Sequence, residues 1–160
     1  MAKKVKIKKT LVEQILTKAG IEHTGIQVNA LEGELPSEYD RTHIFKTLAL
    51  LGDKTGPIIG IVPITEHLAE KKLAKVSGNK KVSMIPQKDL EKTTGYIHGA
   101  NNPVGIRQKH NYPIFIDQTA LGLDQMIVSA GEVGHSIIIR PRDLASFVKA
   151  DFADILEESK

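Results

Sequence analysis

The chain of 160 residues contains no cysteine, and only 4% of its residues are aromatic. The absence of cysteine excludes disulfide bonds, thiolate metal sites and a cysteine nucleophile. No apolar run approaches the roughly 20 residues that cross a bilayer, and no apolar block follows the basic start as a signal peptide requires. We therefore expect a cytoplasmic protein with no membrane partner, whose chemistry depends on lysine, histidine, hydroxyl, carboxylate or backbone groups.

Several catalytic and binding motifs are also missing. The chain has no Gly-Lys-Ser or Gly-Lys-Thr phosphate loop, no Gly-x-Gly-x-x-Gly and no Gly-x-Ser-x-Gly elbow. Its six histidines are scattered, and none pairs with another at the spacing of a zinc site. A nucleotide-binding fold and a metal centre are disfavoured, and no cofactor is predicted, whereas a Ser-His-Asp triad stays open because triad members are seldom adjacent in sequence.

The charges nearly balance, with 22 basic and 19 acidic residues and a formal net charge of +3. The basic residues are clustered within residues 3–9, 71–81 and 107–109. Such clusters can follow a phosphate backbone, or they can form an ordinary solvated face. Charge alone leaves both interpretations open.

Length and periodicity predict one domain over residues 1–160, because typical domains contain about 100 to 200 residues. Thr10 and Glu13 form a capping box that opens an amphipathic helix ending at Gly20. Thr65 is predicted to cap a second helix, a third lies near residues 87–93, and a charged helix that Pro141 opens closes the chain. Strands are predicted at residues 21–28, 44–51, 57–62, 82–85, 114–117, 125–129 and 136–140.

These elements predict an α+β fold. Strands alternate with helices, and residues 52–56 read as a hairpin turn between two strands. Residues 95–113 are too rich in Gly, Asn and Pro to predict a regular element, so we expect a shaped loop or pocket wall there. The arrangement favours a curved mixed sheet or a partly open barrel.

Lys46 interrupts a strand that is otherwise apolar on both faces. Under two-residue alternation it shares its face with Ile44, Leu48 and Leu50. A lysine directed toward a core costs several kcal/mol unless it is paired, lines a cleft or loses its proton, so its position suggests a function. The alternative is an edge lysine whose stem packs while its ammonium reaches water.

Two glycine-containing segments complete the set of candidates. Residues 95–105 offer many backbone amides and small side chains, which suit the close approach of a ligand and the binding of an oxyanion. Residues 129–134 lie at a predicted strand end. Each segment can equally be a structural turn.

Four motifs, taken in chain order, resemble the YbaK/EbsC family. They are Phe45-Lys46-Thr47-Leu48, Thr94-Gly95-Tyr96-x-x-Gly99 with Pro103 and Gly105, Val128-Ser129-Ala130-Gly131-x-x-Gly134, and Pro141-x-Asp143-Leu144. The resemblance implies a mixed, barrel-like sheet of six to seven strands flanked by helices. It also implies trans-editing, that is, cleavage of the ester between an incorrect small amino acid and the tRNA 3′ end. Members of this family are relatives of the editing domain of prolyl-tRNA synthetases.

The resemblance assigns site residues position by position. It implies that Lys46 contacts the terminal nucleotide and supports the reacting ester, and that the backbone of Gly99 holds the carbonyl oxygen. The implied substrate-binding residues are Ala100, Asn102, Pro103, Ser129 and Ser136. The implied partners are aminoacyl-tRNA and prolyl-tRNA synthetase, the oligomeric state stays open, and no metal or cofactor is implied. In members directed at cysteine, the thiol of the substrate itself attacks.

The chain departs from the family pattern at the candidate pocket. Ala100 and Asn102 replace the second glycine and the serine of a Gly-Gly-x-Ser-Pro motif, and Val28 stands where many relatives have tyrosine. One methylene changes pocket selectivity by only about 1 to 3 kcal/mol, so these changes could redirect specificity from cysteine to another small amino acid. They also motivate an alternative, a non-catalytic module that binds tRNA or a synthetase through the same pocket.

Overall fold

A computed structural model describes residues 9–27 and 40–158, which form one α+β domain. The helices are α1 Leu11–Lys18, α2 Glu70–Ser77, α3 Gln87–Thr94, α4 Pro103–Lys109 and α5 Pro141–Val148. The strands are β1 His23–Ile26, β2 Phe45–Gly52, β3 Gly56–Pro63, β4 Val82–Met84, β5 Ile114–Asp117, β6 Met126–Ser129, β7 Ser136–Ile139 and β8 Asp151–Ala153. Two short 3-10 turns lie at Arg41–His43 and Gln118–Gly122.

The strands form two sheets. The five-stranded sheet has the order β4-β2-β3-β5-β8, antiparallel from β4 to β3 and parallel from β3 to β8. The three-stranded sheet has the order β1-β7-β6 and is antiparallel throughout. A single bridge between Ile44 and Ile127 connects the sheets, and within the described ranges they do not close into a barrel. The predicted mixed α+β fold is confirmed, with eight strands in two sheets in place of six or seven in one.

Several predicted local elements are confirmed. The Thr10 hydroxyl accepts from the Glu13 amide at 3.2 Å while the Glu13 carboxylate accepts from the Thr10 amide at 2.8 Å, which completes the capping box of α1. Residues 52–56 form the β2–β3 hairpin turn, and Pro141 occupies the first turn of α5. Short-range chemistry was sufficient to predict these features.

Two apolar clusters stabilise the domain. The larger one joins side chains with no exposed surface from α1, both sheets, α4 and α5, such as Leu16, Ile61, Ile106, Ile137 and Leu144. The smaller one lies on the opposite face of the five-stranded sheet and includes Leu50, Ile58, Val62, Leu73 and Ile155. Each large apolar side chain contributes about 1.5 to 3 kcal/mol on burial. The clusters fix the position of β2 from both sides.

Three predictions about secondary structure were wrong. Thr65 does not cap α2, because the helix begins only at Glu70: its N-cap is Ala69, which is extended and donates its amide to the Ile155 carbonyl at 2.8 Å. Residues 95–113 contain α4, since Asn102 caps its first turn and Pro103 suits its first position. The charged helix does not continue to the chain end: α5 ends at Val148, and β8 then pairs in parallel with β5.

Some predicted features fall outside the described residues. They are the end of the first predicted strand at Val28 and the basic residues within 3–8. Across residues 9–27 and 40–158, no helix is long and apolar enough to cross a membrane.

Candidate active site

A cavity of about 90 Å³ lies at the junction of the two sheets. The start of β2, the turn at residues 98–101 and the facing ends of β6 and β7 surround it. Its lining residues are Ile44, Phe45, Lys46, Thr47, Leu48, Ile64, His98, Gly99, Asn101, Val128, Ser129, Gly134, His135 and Ser136. The structure therefore brings together three segments that are separated by about 30 to 50 residues in sequence.

Lys46 lies at this cavity and is half-buried. Its β2 neighbours Phe45 and Thr47 are buried, and its cross-strand partner is Val62. Burial removes water from the ammonium group and lowers the pKa of Lys46 below the ordinary lysine value. Lys46 thus lines a cavity and is partly desolvated, which favours the cleft interpretation over an edge lysine directed into bulk solvent.

No carboxylate compensates the Lys46 charge within the described part of the chain. None of the lining side chains is Asp or Glu, and no ion pair between described residues includes Lys46. An unpaired ammonium in a partly desolvated cavity attracts an anion or a developing oxyanion. The electrostatics suit a phosphate or the carbonyl oxygen of a reacting ester.

The turn at residues 98–101, which contains Gly99, forms the glycine wall of the cavity. Gly99 has φ +91°, a conformation that side chains disfavour, so glycine is required there. The turn is held by a hydrogen bond from the Ala100 amide to the Ile97 carbonyl at 3.0 Å and by one from the buried Thr94 hydroxyl to Asn101 Oδ1 at 2.8 Å. The position of the Gly99 backbone beside the cavity is therefore fixed before any ligand binds.

Ser129 connects the glycine wall to the three-stranded sheet. Its hydroxyl donates to the Gly99 carbonyl at 3.4 Å and accepts from the Gly131 amide at 3.2 Å. Ser136 is the cross-strand neighbour of Ser129 and is buried. The structure thus places Lys46, Gly99, Ser129 and Ser136, all predicted site residues, around one cavity.

The other three predicted residues do not line this cavity. Ala100 and Pro103 are buried behind it, and Asn102 has no exposed surface. The Asn102 side chain accepts from the Gly105 amide at 2.6 Å and donates to the Ala100 carbonyl at 3.0 Å. These contacts hold the turn onto α4, so the structure places the three residues where they shape the wall.

Four polar lining residues were not among the predicted site residues: Thr47, His98, Asn101 and His135. His98 and Asn101 flank the predicted glycine wall, and their positions in that motif were the available signal. Nothing in the local sequence indicated His135. Thr47 has a buried hydroxyl for which the described residues supply no hydrogen-bond partner.

In the part of the chain that the structure describes, the possible metal ligands lie apart from one another. Within residues 9–27 and 40–158, no group of three or more His, Asp or Glu side chains is placed to bind a metal ion. The polar side chains on the cavity lining are Lys46, Thr47, His98, Asn101, Ser129, His135 and Ser136.

Comparison with known proteins identifies the class of the chain. The model of the aminoacyl-tRNA editing domain family matches residues 31–147, so the chain belongs to that family. A curated relative from Enterococcus faecalis, EbsC, is 43% identical over 116 residues, which are 72% of this chain and 70% of the relative. That protein carries the name of a Cys-tRNA(Pro)/Cys-tRNA(Cys) deacylase.

Solved structures share the fold. One, titled as a trans-editing enzyme candidate for prolyl-tRNA synthetase, has a TM-score of 0.78 at 21% identity and covers 92% of this chain and 95% of its own. Another, the hypothetical protein APE2540, has a TM-score of 0.81 at 20% identity; the match covers 91% of this chain and 99% of that protein. The resemblance to the YbaK/EbsC family and the expected class of aminoacyl-tRNA deacylase are confirmed.

Proposed function

We propose that this chain hydrolyses the ester that links a small, wrongly attached amino acid to the 3′ end of a tRNA, with cysteine as the first candidate. The observation that carries the proposal is the unpaired, half-buried Lys46 in a small cavity beside the fixed Gly99 turn. The family match and the named activity of EbsC support the same reaction class.

The size of the cavity limits the amino acid. An apolar cavity of about 150 Å³ accommodates a benzene ring, whereas this cavity holds about 90 Å³. A thiol, a methyl or a hydroxymethyl group suits a cavity of this size. The apolar lining from Ile44, Ile64 and Val128 favours cysteine or alanine over serine.

The residues around the cavity have different roles in the proposed reaction. The Lys46 ammonium group stabilises negative charge on the terminal nucleotide and on the ester, and the Gly99 backbone binds the carbonyl oxygen as it becomes an oxyanion. Ser129 and Ser136 contact the aminoacyl group from the opposite wall. Because an aminoacyl ester is already activated, positioning of the ester supplies much of the barrier reduction.

The substrate partner is aminoacyl-tRNA, as for the family. We propose prolyl-tRNA synthetase as the protein partner, because one of the solved structures with this fold is described as a trans-editing enzyme for that synthetase. We propose a cytoplasmic location, which suits a role in translation.

The proposal is tested with a deacylation panel. Cysteine, alanine, serine and proline are attached to proline and cysteine tRNAs, and release of each amino acid is followed with native protein and with Lys46→Ala. We expect rapid release of one or two small amino acids by native protein and none above background by Lys46→Ala. If micromolar native protein cleaves none of these aminoacyl-tRNAs, the proposal is contradicted.

A second candidate function has one observation in its favour. Ala100 and Asn102 replace residues of the family motif, and a changed wall could bind tRNA without cleaving the ester. A tRNA complex that weakens with salt, together with an intact ester in the panel, would select this binding module.

A further inference from the structure

One stretch of β2 has no partner strand among the described residues on the edge opposite β3. The Ile64 amide donates to the Ile44 carbonyl at 2.9 Å, so even-numbered residues of β2 bond to β3 and odd-numbered residues direct their main-chain groups to the other edge. On that edge the Ala49 carbonyl accepts from the Ile85 amide at 3.1 Å, as this alternation requires. The amide and the carbonyl of Thr47 therefore point to the open stretch.

The cavity lies at this open edge. The bridge at Ile44 and the pairing of β4 with residues 50–52 bound the stretch on its two sides. Thr47 lines the cavity there, and Val128 and Ser129 line it from β6. An open strand edge offers main-chain donors and acceptors that a ligand can use as an added strand would.

The cavity is lined from both faces of β2. Phe45 and Ala49 pack in the larger apolar cluster, whereas Leu50 belongs to the smaller cluster on the opposite face. By two-residue alternation, the Thr47 side chain lies on the face of the larger cluster and the Lys46 side chain on the other. Both residues line the cavity, so a ligand at the open edge can contact Lys46 from one face and Thr47 from the other.

The Thr47 hydroxyl is a buried polar group without a hydrogen-bond partner among the described residues, and the residue is only 9% exposed. Such a group destabilises the folded protein, so its presence beside a cavity suggests a partner that arrives with a ligand. Because no hydrogen bond fixes its χ1 angle, one step between staggered positions can bring the oxygen to the cavity. By contrast, the Ser129 hydroxyl already bonds the Gly99 carbonyl and the Gly131 amide.

We propose that Thr47 is a further substrate-binding residue, whose hydroxyl accepts a hydrogen bond from the α-amino group of the aminoacyl ester; the inference rests on the deacylase function proposed above. Every aminoacyl ester carries this amino group on the carbon next to the reacting carbonyl. Contact with Thr47 places the amino group on the face of β2 opposite Lys46, which keeps two cationic groups apart. The ester carbonyl is then directed toward Lys46 and the Gly99 backbone.

The experiment removes the hydroxyl and the amino group separately and together. Cysteinyl-tRNA is compared with 3-sulfanylpropionyl-tRNA, which lacks only the amino group, and alanyl-tRNA with propionyl-tRNA if the panel shows release of alanine. The proteins are native protein, Thr47→Val, Thr47→Ser and, as a matched control at an exposed position of β1, Thr24→Val. Valine keeps the shape of threonine without the hydroxyl, whereas serine keeps the hydroxyl. Assays run at about pH 6, where an α-amino group is protonated.

A hydrogen bond to a charged group contributes about tenfold to 100-fold, so Thr47→Val should lower kcat/KM by about that factor on the aminoacyl ester and by less than about threefold on the ester without the amino group. Each ratio compares two proteins on one substrate, so the different intrinsic reactivity of the two esters cancels. Thr47→Ser and Thr24→Val should remain close to native protein on both esters. A thermal midpoint of Thr47→Val at or above the native value shows that the loss is not caused by unfolding.

Two outcomes would overturn the inference. Thr47→Val could lose the same factor on both esters, which would separate the hydroxyl from the amino group, or it could cleave the aminoacyl ester at the native rate. In both cases native protein still deacylates tRNA and the proposed function stands. Native protein that cleaves no aminoacyl-tRNA of the panel would refute the function and the role of Thr47 together.

Discussion

Replacing Lys46 by methionine should reduce activity and raise stability at the same time. The methionine side chain is close to lysine in length and keeps the apolar contacts of the stem, but it carries no charge. If Lys46 stabilises the developing oxyanion, the transition state loses that interaction. The ammonium group is partly desolvated, and the described residues supply no counterion for it. The folded state of Lys46→Met is therefore free of this desolvation cost.

The size of the activity loss follows from Coulomb's law. Two unit charges about 4 Å apart interact by about 1 kcal/mol in water and about 4 kcal/mol at an effective dielectric constant of about 20. A half-buried lysine lies between these limits, at about 2.5 kcal/mol. Because about 1.4 kcal/mol corresponds to tenfold, Lys46→Met should lower kcat/KM on the order of 10²-fold.

The stability gain has a defined sign and pH dependence. Because the folded state lowers the pKa of Lys46, the protonated ammonium group disfavours folding. Lys46→Met should therefore raise the free energy of unfolding by about 0.5 to 2 kcal/mol near pH 7. As pH rises through the lowered pKa, native protein loses the proton in its folded state and the difference between the two proteins should shrink.

Two assays and one control variant test the predicted changes in the activity and the stability of Lys46→Met. Single-turnover deacylation, corrected for spontaneous ester hydrolysis, gives the rate, and urea denaturation at several pH values gives the stability. Lys46→Arg keeps the charge and should retain more activity than Lys46→Met. A methionine variant within threefold of native activity, or one that is less stable than native protein at pH 7, would refute the reasoning.

Three further predictions concern the cavity wall. Asn102→Ala should cost about 1 to 3 kcal/mol in urea denaturation, because a buried cap of α4 is lost; a change below 0.3 kcal/mol would contradict the contacts assigned to it. Gly105→Ala should cost about 1 to 3 kcal/mol, since the added Cβ would overlap the Tyr96 hydroxyl group, and an unchanged thermal midpoint would argue against that packing. Thr47→Val should raise stability by about 1 kcal/mol because the buried hydroxyl has no partner among the described residues; lower stability would reveal a hydrogen bond to it.

The four motifs indicated more residues of the cavity lining than the periodicity did. Lys46 was anomalous within its own strand, and Gly99 and Ser129 followed from the resemblance, and all three line the cavity. By contrast, Ala100 and Asn102 lie beside these residues in sequence but turn away from the cavity. A motif gives the neighbourhood of a residue, whereas the path of the turn decides which atoms face the ligand.

The sequence by itself determined the local features of this protein. The capping box of α1, the hairpin turn at residues 52–56 and a cation within an apolar strand depend on neighbours a few residues apart, so short-range chemistry specifies them. Tertiary structure alone decided the rest. The contact of Ile44 with Ile127 and the pairing of Ser129 with Ser136 bring distant segments around one space, which both Lys46 and Ser129 line. Such a space exists only after long-range packing, because no local pattern encodes which strand ends will meet.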